Sequence, residues 1–196
     1  MSKDLFLTSP IPPSTNHYLS YRAIMKNGRP MAMSYCTQEA KKYKEFFSSY
    51  VQDEVKKQGW ELKPNKTQHF YVDTVFYFPR TDMDSSNYFK VLLDSITQSS
   101  AIWIDDNVVC ERVQGVYYDS ENPRIEIHVH PVDYIGVFEN ASQLESFESN
   151  CIVCKRYKRN CSILKNAKAG YVQKEIGEFM KCNSYSPIKN KECKEN

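Results

Sequence analysis

Apolar and polar positions alternate in some stretches of the chain and recur at helical spacing in others, and the change of period marks the elements. Residues 3–9 (KDLFLTS) alternate as a strand does, and Pro10, Pro12 and Pro13 stop them by removing backbone donors and fixing φ. Residues 14–35 keep no period and read as a long loop. Thr37 is placed to cap a helix over 38–57, in which Ala40, Tyr43, Phe47, Tyr50 or Val51, and Val55 form an apolar stripe and Gly59 is the stop. Residues 66–78 are rich in β-branched and aromatic side chains and predict a strand of about ten residues ending at Pro79.

Asp84 stands where an N-cap belongs, and from Ser85 the period becomes helical: Tyr88, Leu92 and Ile96 make one stripe, with Phe89 and Leu93 beside it. Residues 101–104 form an apolar run that ends in Asp105-Asp106. Residues 110–118 and 124–130 read as two strands around a turn at 119–123, with Ile125, Ile127 and Val129 inward, so an antiparallel hairpin is expected. His128 and His130 fall on its polar face, where solvent exposure is the expectation. Beyond residue 132 a short helix near 141–147 and a helical run over 162–180 complete the pattern.

Length and composition allow one well-packed domain and a small appendage: 196 residues, 41% hydrophobic. No apolar stretch approaches the roughly 20 residues a bilayer needs, and the N-terminus enters a strand-like run directly, so a cytoplasmic protein without membrane association is expected. The net charge of +2 hides an asymmetry. Residues 151–196 carry eleven Lys or Arg against four Glu, a net of +7, and residues 1–150 are left with −5. The basic end suits a polyanion. Between them, residues 133–150 lose basic side chains and read as an acidic linker. The expected organisation is 1–132, a linker at 133–150, and a basic module at 151–196.

Three groups of residues carry candidate chemistry. The first lies between residues 80 and 107, where Asp82, Asp84, Asp94, Asp105 and Asp106 crowd around one helix that also bears Asn87 and Lys90. Asn87, Lys90 and Asp94 share a helix face. Crowded carboxylates raise one another's pKa unless a cation offsets them, and a divalent metal is one remedy; caps, loops and a solvated Lys90–Asp94 pair are the plain alternative. The second group is His17, Arg22, Lys26 and Arg29, set among tyrosines in residues 14–35, a mixture suited to bases and phosphates.

The third group is the spacing Cys151-x2-Cys154-x6-Cys161-x20-Cys182 among seven cysteines. Four thiolates suit structural Zn²⁺ and also suit an iron–sulfur cluster, and unligated thiols are the remaining reading. Lys155, Arg156, Lys158 and Arg159 lie between the second and third cysteines, where phosphate contact would follow. Cys193 is expected to stand outside this set, with Cys36 and Cys110 ordinary thiols.

The run DSSNYFKVLLDSI followed by WIDDNVV resembles the RusA family of Holliday-junction resolvases, whose pattern is D-x-D-N-x-x-K-x-x-x-D-(A/S)-(L/I) and then D-D-x-(Q/N)-(V/I). PPSTNHY is similar to that family's P-P-S-x-N-x-Y segment. The resemblance spans about 130 residues, in matching order. It implies an α/β (α+β) domain with a mixed β-sheet flanked by helices; the small metal-stapled helical module expected at the C-terminus from the cysteine spacing lies outside the resemblance. The resemblance also implies a symmetric homodimer and an endonuclease dependent on Mg²⁺, with Mn²⁺ as a substitute, acting on four-way junctions in phage or prophage recombination. By position, Asp84 matches the family's first acid, Asn87 its amide, Lys90 its lysine, Asp94 its helix acid and Asp105-Asp106 its final pair. Ser86 stands where the family has its second acid. Either Asp82 supplies that carboxylate or the site works with fewer charges, and in the latter case a weakened or inactive junction-binding accessory protein is the alternative.

Overall fold

The computed structural model describes residues 4–66 and 68–188; Cys193 lies outside the described residues. The chain divides between Val132 and Asp133 into two compact units.

In the first unit, β4 (Phe70–Phe78) is the centre of a four-stranded sheet ordered β1-β6-β4-β5. β1 (Leu5–Pro10) pairs antiparallel with β6 (Arg124–Pro131), β6 pairs antiparallel with β4, and β4 pairs parallel with β5 (Val109–Tyr118). A parallel pair needs a long crossover, and α3 (Phe89–Ser99) lies within that connection. The hairpin expected between the last two strands does not form, because β4 lies between β5 and β6. The turn signal at 119–123 told that the chain reverses, not which strand it then joins. FYVDTVFYF buries every second side chain completely, and the intervening ones are half-buried, so β4 takes the centre.

α2 (Gln38–Lys57) begins at the Thr37 cap, whose Oγ accepts from Ala40 N at 3.3 Å, and buries Ala40, Tyr43, Phe47 and Val51. Tyr43, Phe47 and Val51 join Val91, Leu92 and Ile96 of α3, together with Leu5, Val72, Phe76, Ile127 and Trp103, in one core. Trp103 is fully buried, and its indole N–H donates to Thr97 Oγ1 at 2.8 Å. The helix expected from Ser85 begins as a single 3-10 turn, Ser85–Asn87, and true α geometry starts at Phe89.

The segment expected as a loop is largely ordered: α1 (Thr15–Tyr18), then β2 (Leu19–Lys26) paired with β3 (Arg29–Cys36). Asn27 and Gly28 both have positive φ (54° and 73°), as a two-residue hairpin turn of matching twist requires.

The second unit is built on α4 (Ala141–Ile152), capped by the Asn140 side chain, and α5 (Ile163–Lys168). Phe138, Phe147, Ile163 and Ala167 form its core. The helical run expected over 162–180 stops at Lys168, where Gly170 (φ 87°) turns the chain; turns and isolated bridges follow. Gly136 is required as glycine, since a Cβ there would meet the Ala167 carbonyl oxygen at 2.0 Å.

Candidate active site

The site grows from the first turn of α3. Lys90 points its ammonium at two carboxylates, 2.8 Å from Asp94 Oδ1 and 3.5 Å from Asp106 Oδ2. The first contact is the i,i+4 pair that helix spacing allows. The second joins α3 to the segment that leads into β5. Asp94 is held on its other oxygen by Tyr18, whose hydroxyl donates at 2.6 Å, and Lys44 Nζ lies 3.8 Å away. Burial works against ionising Asp94, but the hydrogen bonds from Lys90 and Tyr18 outweigh it and leave the carboxyl below its ordinary range. Lys90 is raised in turn, chiefly by its bond to Asp94, so both stay charged. Burial and the Asp94 bond push the Tyr18 phenol well above its usual value, keeping it a donor.

The final acidic pair divides its work. Asp105 turns its carboxylate back to cap Asn107 N at 3.0 Å, whereas Asp106 faces Lys90. At the other end of the motif, Asp84 accepts from Ser86 N and from Ser86 Oγ, each at 3.0 Å. Asp82 is exposed and pairs with Arg80 at 3.2 Å. Tyr88 sits in the field of both: burial raises its phenol, Arg80 opposes, and Asp82 and Asp84 add to the rise. The carbonyl of Asn87 accepts from Thr15 Oγ1 at 2.9 Å, which ties the PPSTNHY segment to the start of α3.

Glu111 is the acidic residue that sequence reasoning passed over. Burial raises its carboxyl, Asp106 adds to the rise and Lys90 offsets it, so Glu111 shares the electrostatic neighbourhood of Lys90 and Asp106. A single Glu in a strand of mixed polarity gave no signal. Strand alternation, which sets Glu111 on the face opposite Arg112, is the one clue available.

Among the described residues, the trio whose potential ligand atoms lie within 4.8 Å of one another is Asp73, His128 and His130, and Asp82, Asp84 and Asp106 do not form such a trio. The Asp73 carboxylate is already matched by Arg112, whose Nη2 lies 2.6 Å from it and 3.1 Å from His130 Nε2. The guanidinium also lies over the Tyr71 ring, 3.8 Å from its centroid. Arg112 holds the Asp73 carboxyl well below the usual range, so the resident cation of this cluster is the guanidinium. His128 and His130, expected in solvent, are half-buried: His128 stacks on Phe6 and lies 2.8 Å from Asp4 Oδ1.

Of the candidate nucleic-acid contacts, Arg22 and Lys26 lie on β2 and Arg29 on β3, with Lys26 directly opposite Arg29 at the exposed tip of the hairpin; His17 lies in α1. In the second unit, Cys151, Cys154, Cys161 and Cys182 line one cavity of about 340 Å³ together with Lys158, and Lys155, Arg156 and Arg159 occupy the adjoining turns.

A mixed sheet, a helix crossover and an acid–lysine cluster at the start of that helix define an α/β domain whose candidate site is lined by carboxylate oxygens. The sequence model of the family described as Endodeoxyribonuclease RusA matches residues 10–130, and the chain belongs to that family. It is a family of Holliday-junction resolvase endonucleases that act on branched DNA and generally depend on a divalent metal. No curated protein matches the chain. No helix of the described residues is long and apolar enough to cross a membrane.

Proposed function

We propose that the protein is a Mg²⁺-dependent endodeoxyribonuclease, with Mn²⁺ able to substitute, that cuts four-way DNA junctions as a symmetric homodimer during phage or prophage recombination and repair in the cytoplasm of its bacterial or infected host. The observation that carries this reading is the bridge that Lys90 makes between Asp94 and Asp106. A lysine whose charge is fixed on one side by a braced carboxylate, and which faces a second carboxylate on the other, is arranged to serve a phosphate that arrives beside a metal.

The all-oxygen donor set suits a hard cation that keeps several of its waters. Asp84 and Asp106 would hold it, with Asp82 or Asp105 as a further ligand. When bound, the metal supplies the charge that lowers the pKa of a water and shields the phosphate. The chain's own groups do the rest. Lys90 steadies the scissile phosphate or the leaving oxygen, Asp94 keeps Lys90 charged and aimed, and Tyr18 and Lys44 hold Asp94. Asn87 orients the phosphate or the attacking water. Binding draws on the basic hairpin tip, Lys26 and Arg29, with Arg22 and His17 behind it, and on Lys155, Arg156, Lys158 and Arg159 of the second unit. Two copies related by a two-fold axis match the two opposed strands of a junction.

A second reading, a junction-binding protein with a weakened site, is favoured by one observation: Ser86 spends its N–H and hydroxyl on Asp84, while Asp82 is engaged by Arg80. Incubating the protein with a synthetic four-way junction in Mg²⁺ or Mn²⁺ separates the two. Paired nicks at the branch point are expected; tight binding with no cleavage in either metal would establish the second reading instead.

A further inference from the structure

The second unit has few apolar side chains with which to hold itself together. Phe138, Phe147, Ile163 and Ala167 are its buried residues among those described, and Cys151, Cys161 and Cys182 pack against them. A core of this size rarely stabilises a fold without a staple. The four cysteines come from separate places: Cys151 near the end of α4, Cys154 in the turn after it, Cys161 just before α5, and Cys182 in a bridge with Ile176. All four are free thiols, and all four line the same cavity of about 340 Å³.

Ser186 N donates toward Cys154 Sγ from 3.5 Å. Lys158, Lys165 and Lys168 line the cavity with the four cysteines. Four thiolates around a divalent ion leave two negative charges, which nearby ammonium groups offset.

We infer that Cys151, Cys154, Cys161 and Cys182 bind one structural Zn²⁺, which staples the second unit and fixes its basic turn. Soft sulfur donors in a set of four select zinc over the hard cation proposed for the carboxylates. No three of the four sulfurs lie within 4.8 Å of one another in the described chain. Bonds of about 2.3 Å to one zinc bring tetrahedral sulfurs to about 3.8 Å apart, so coordination draws the turn after α4 and the Cys182 bridge inward. The site is independent of the nuclease reading, and its test does not involve cleavage.

Elemental analysis and thiol titration of the full-length protein, purified without chelator, provide the test. One zinc per chain is expected, with three of the seven cysteines reacting in the native protein and all seven after a chelator strips the metal. Exchange of Co²⁺ into the wild-type protein is expected to give thiolate charge-transfer and tetrahedral absorption bands, a readout that needs no variant to fold. Cys154→Ser and Cys182→Ser are expected to lower the zinc content severalfold, and Cys193→Ser to leave it at one. A metal-free native protein with seven reactive thiols, or iron with visible cluster absorption in place of zinc, would overturn the assignment.

Discussion

Lys90 and Asp106, sixteen residues apart in the chain, meet at 3.5 Å. This contact links the motif that opens α3 to the acidic pair that precedes β5, two parts of the one acidic group between residues 80 and 107.

Replacing Lys90 by Ala removes the cation that, among the described residues, Asp94 and Asp106 share. The rate of junction cleavage in a single turnover is expected to fall by about 100-fold or more, the scale of losing a preorganised electrostatic group, while junction affinity changes by no more than about threefold. Measuring both separates a role in the reaction from one in binding: an equal loss in affinity would assign Lys90 to docking alone.

Tyr18→Phe deletes the hydroxyl that braces Asp94 at 2.6 Å and leaves the ring. One partly exposed hydrogen bond to a carboxylate is worth about 1 kcal/mol, so a rate loss of about fivefold at saturating junction is expected, with affinity unchanged. Unchanged rates in steady-state and single-turnover assays would show that Asp94 holds Lys90 without this brace.

The hairpin tip predicts a salt effect. Lys26→Ala combined with Arg29→Ala removes two candidate phosphate contacts, and the slope of log affinity against log salt is expected to become shallower by about 2. Fluorescence anisotropy with a labelled junction at several salt concentrations measures it, and an unaltered slope would remove the hairpin from the interface.

The course of the hairpin was partly legible in the sequence. Asn27-Gly28 is a strong turn signal, but the polar, aromatic strands beside it are exposed on most positions and lack the alternation by which strands are recognised. α2 is the opposite case. Its Thr37 cap, its apolar stripe and its end before Gly59 are all local properties, and the helix runs over Gln38–Lys57 as those signals dictate. Strand partners are not local, which is why the turn at 119–123 predicts a hairpin of residues 110–118 and 124–130 although β4 separates them. At the site, the Lys90–Asp94 pair follows from helix spacing, whereas the approach of Asp106 and Glu111 to Lys90 depends on the crossover and could not be counted from residue numbers. The helix expected over 162–180 failed for a local reason, since Gly170 ends it and the apolar positions beyond serve turns.

Asp73 gives a pH prediction whose sign follows from its depressed carboxyl. A carboxyl held low by Arg112 in the folded chain stabilises the fold above the unfolded value, near 4, and that contribution is lost as the pH falls through the lower folded value. Asp73→Asn is therefore expected to lower stability at neutral pH, and the difference from wild type to shrink progressively below about pH 4. Thermal unfolding across that range checks it; a constant difference would place the effect of Asp73 in packing.

The central claim is that Asp106, facing Lys90, belongs to the machinery that breaks the phosphodiester bond. The most direct measurement is the single-turnover cleavage of a four-way junction in Mg²⁺ by wild type and by Asp106→Asn, with junction affinity measured alongside. The account predicts that Asp106→Asn binds the junction as wild type does and cuts it at least about 100-fold more slowly; cleavage at the wild-type rate would contradict it.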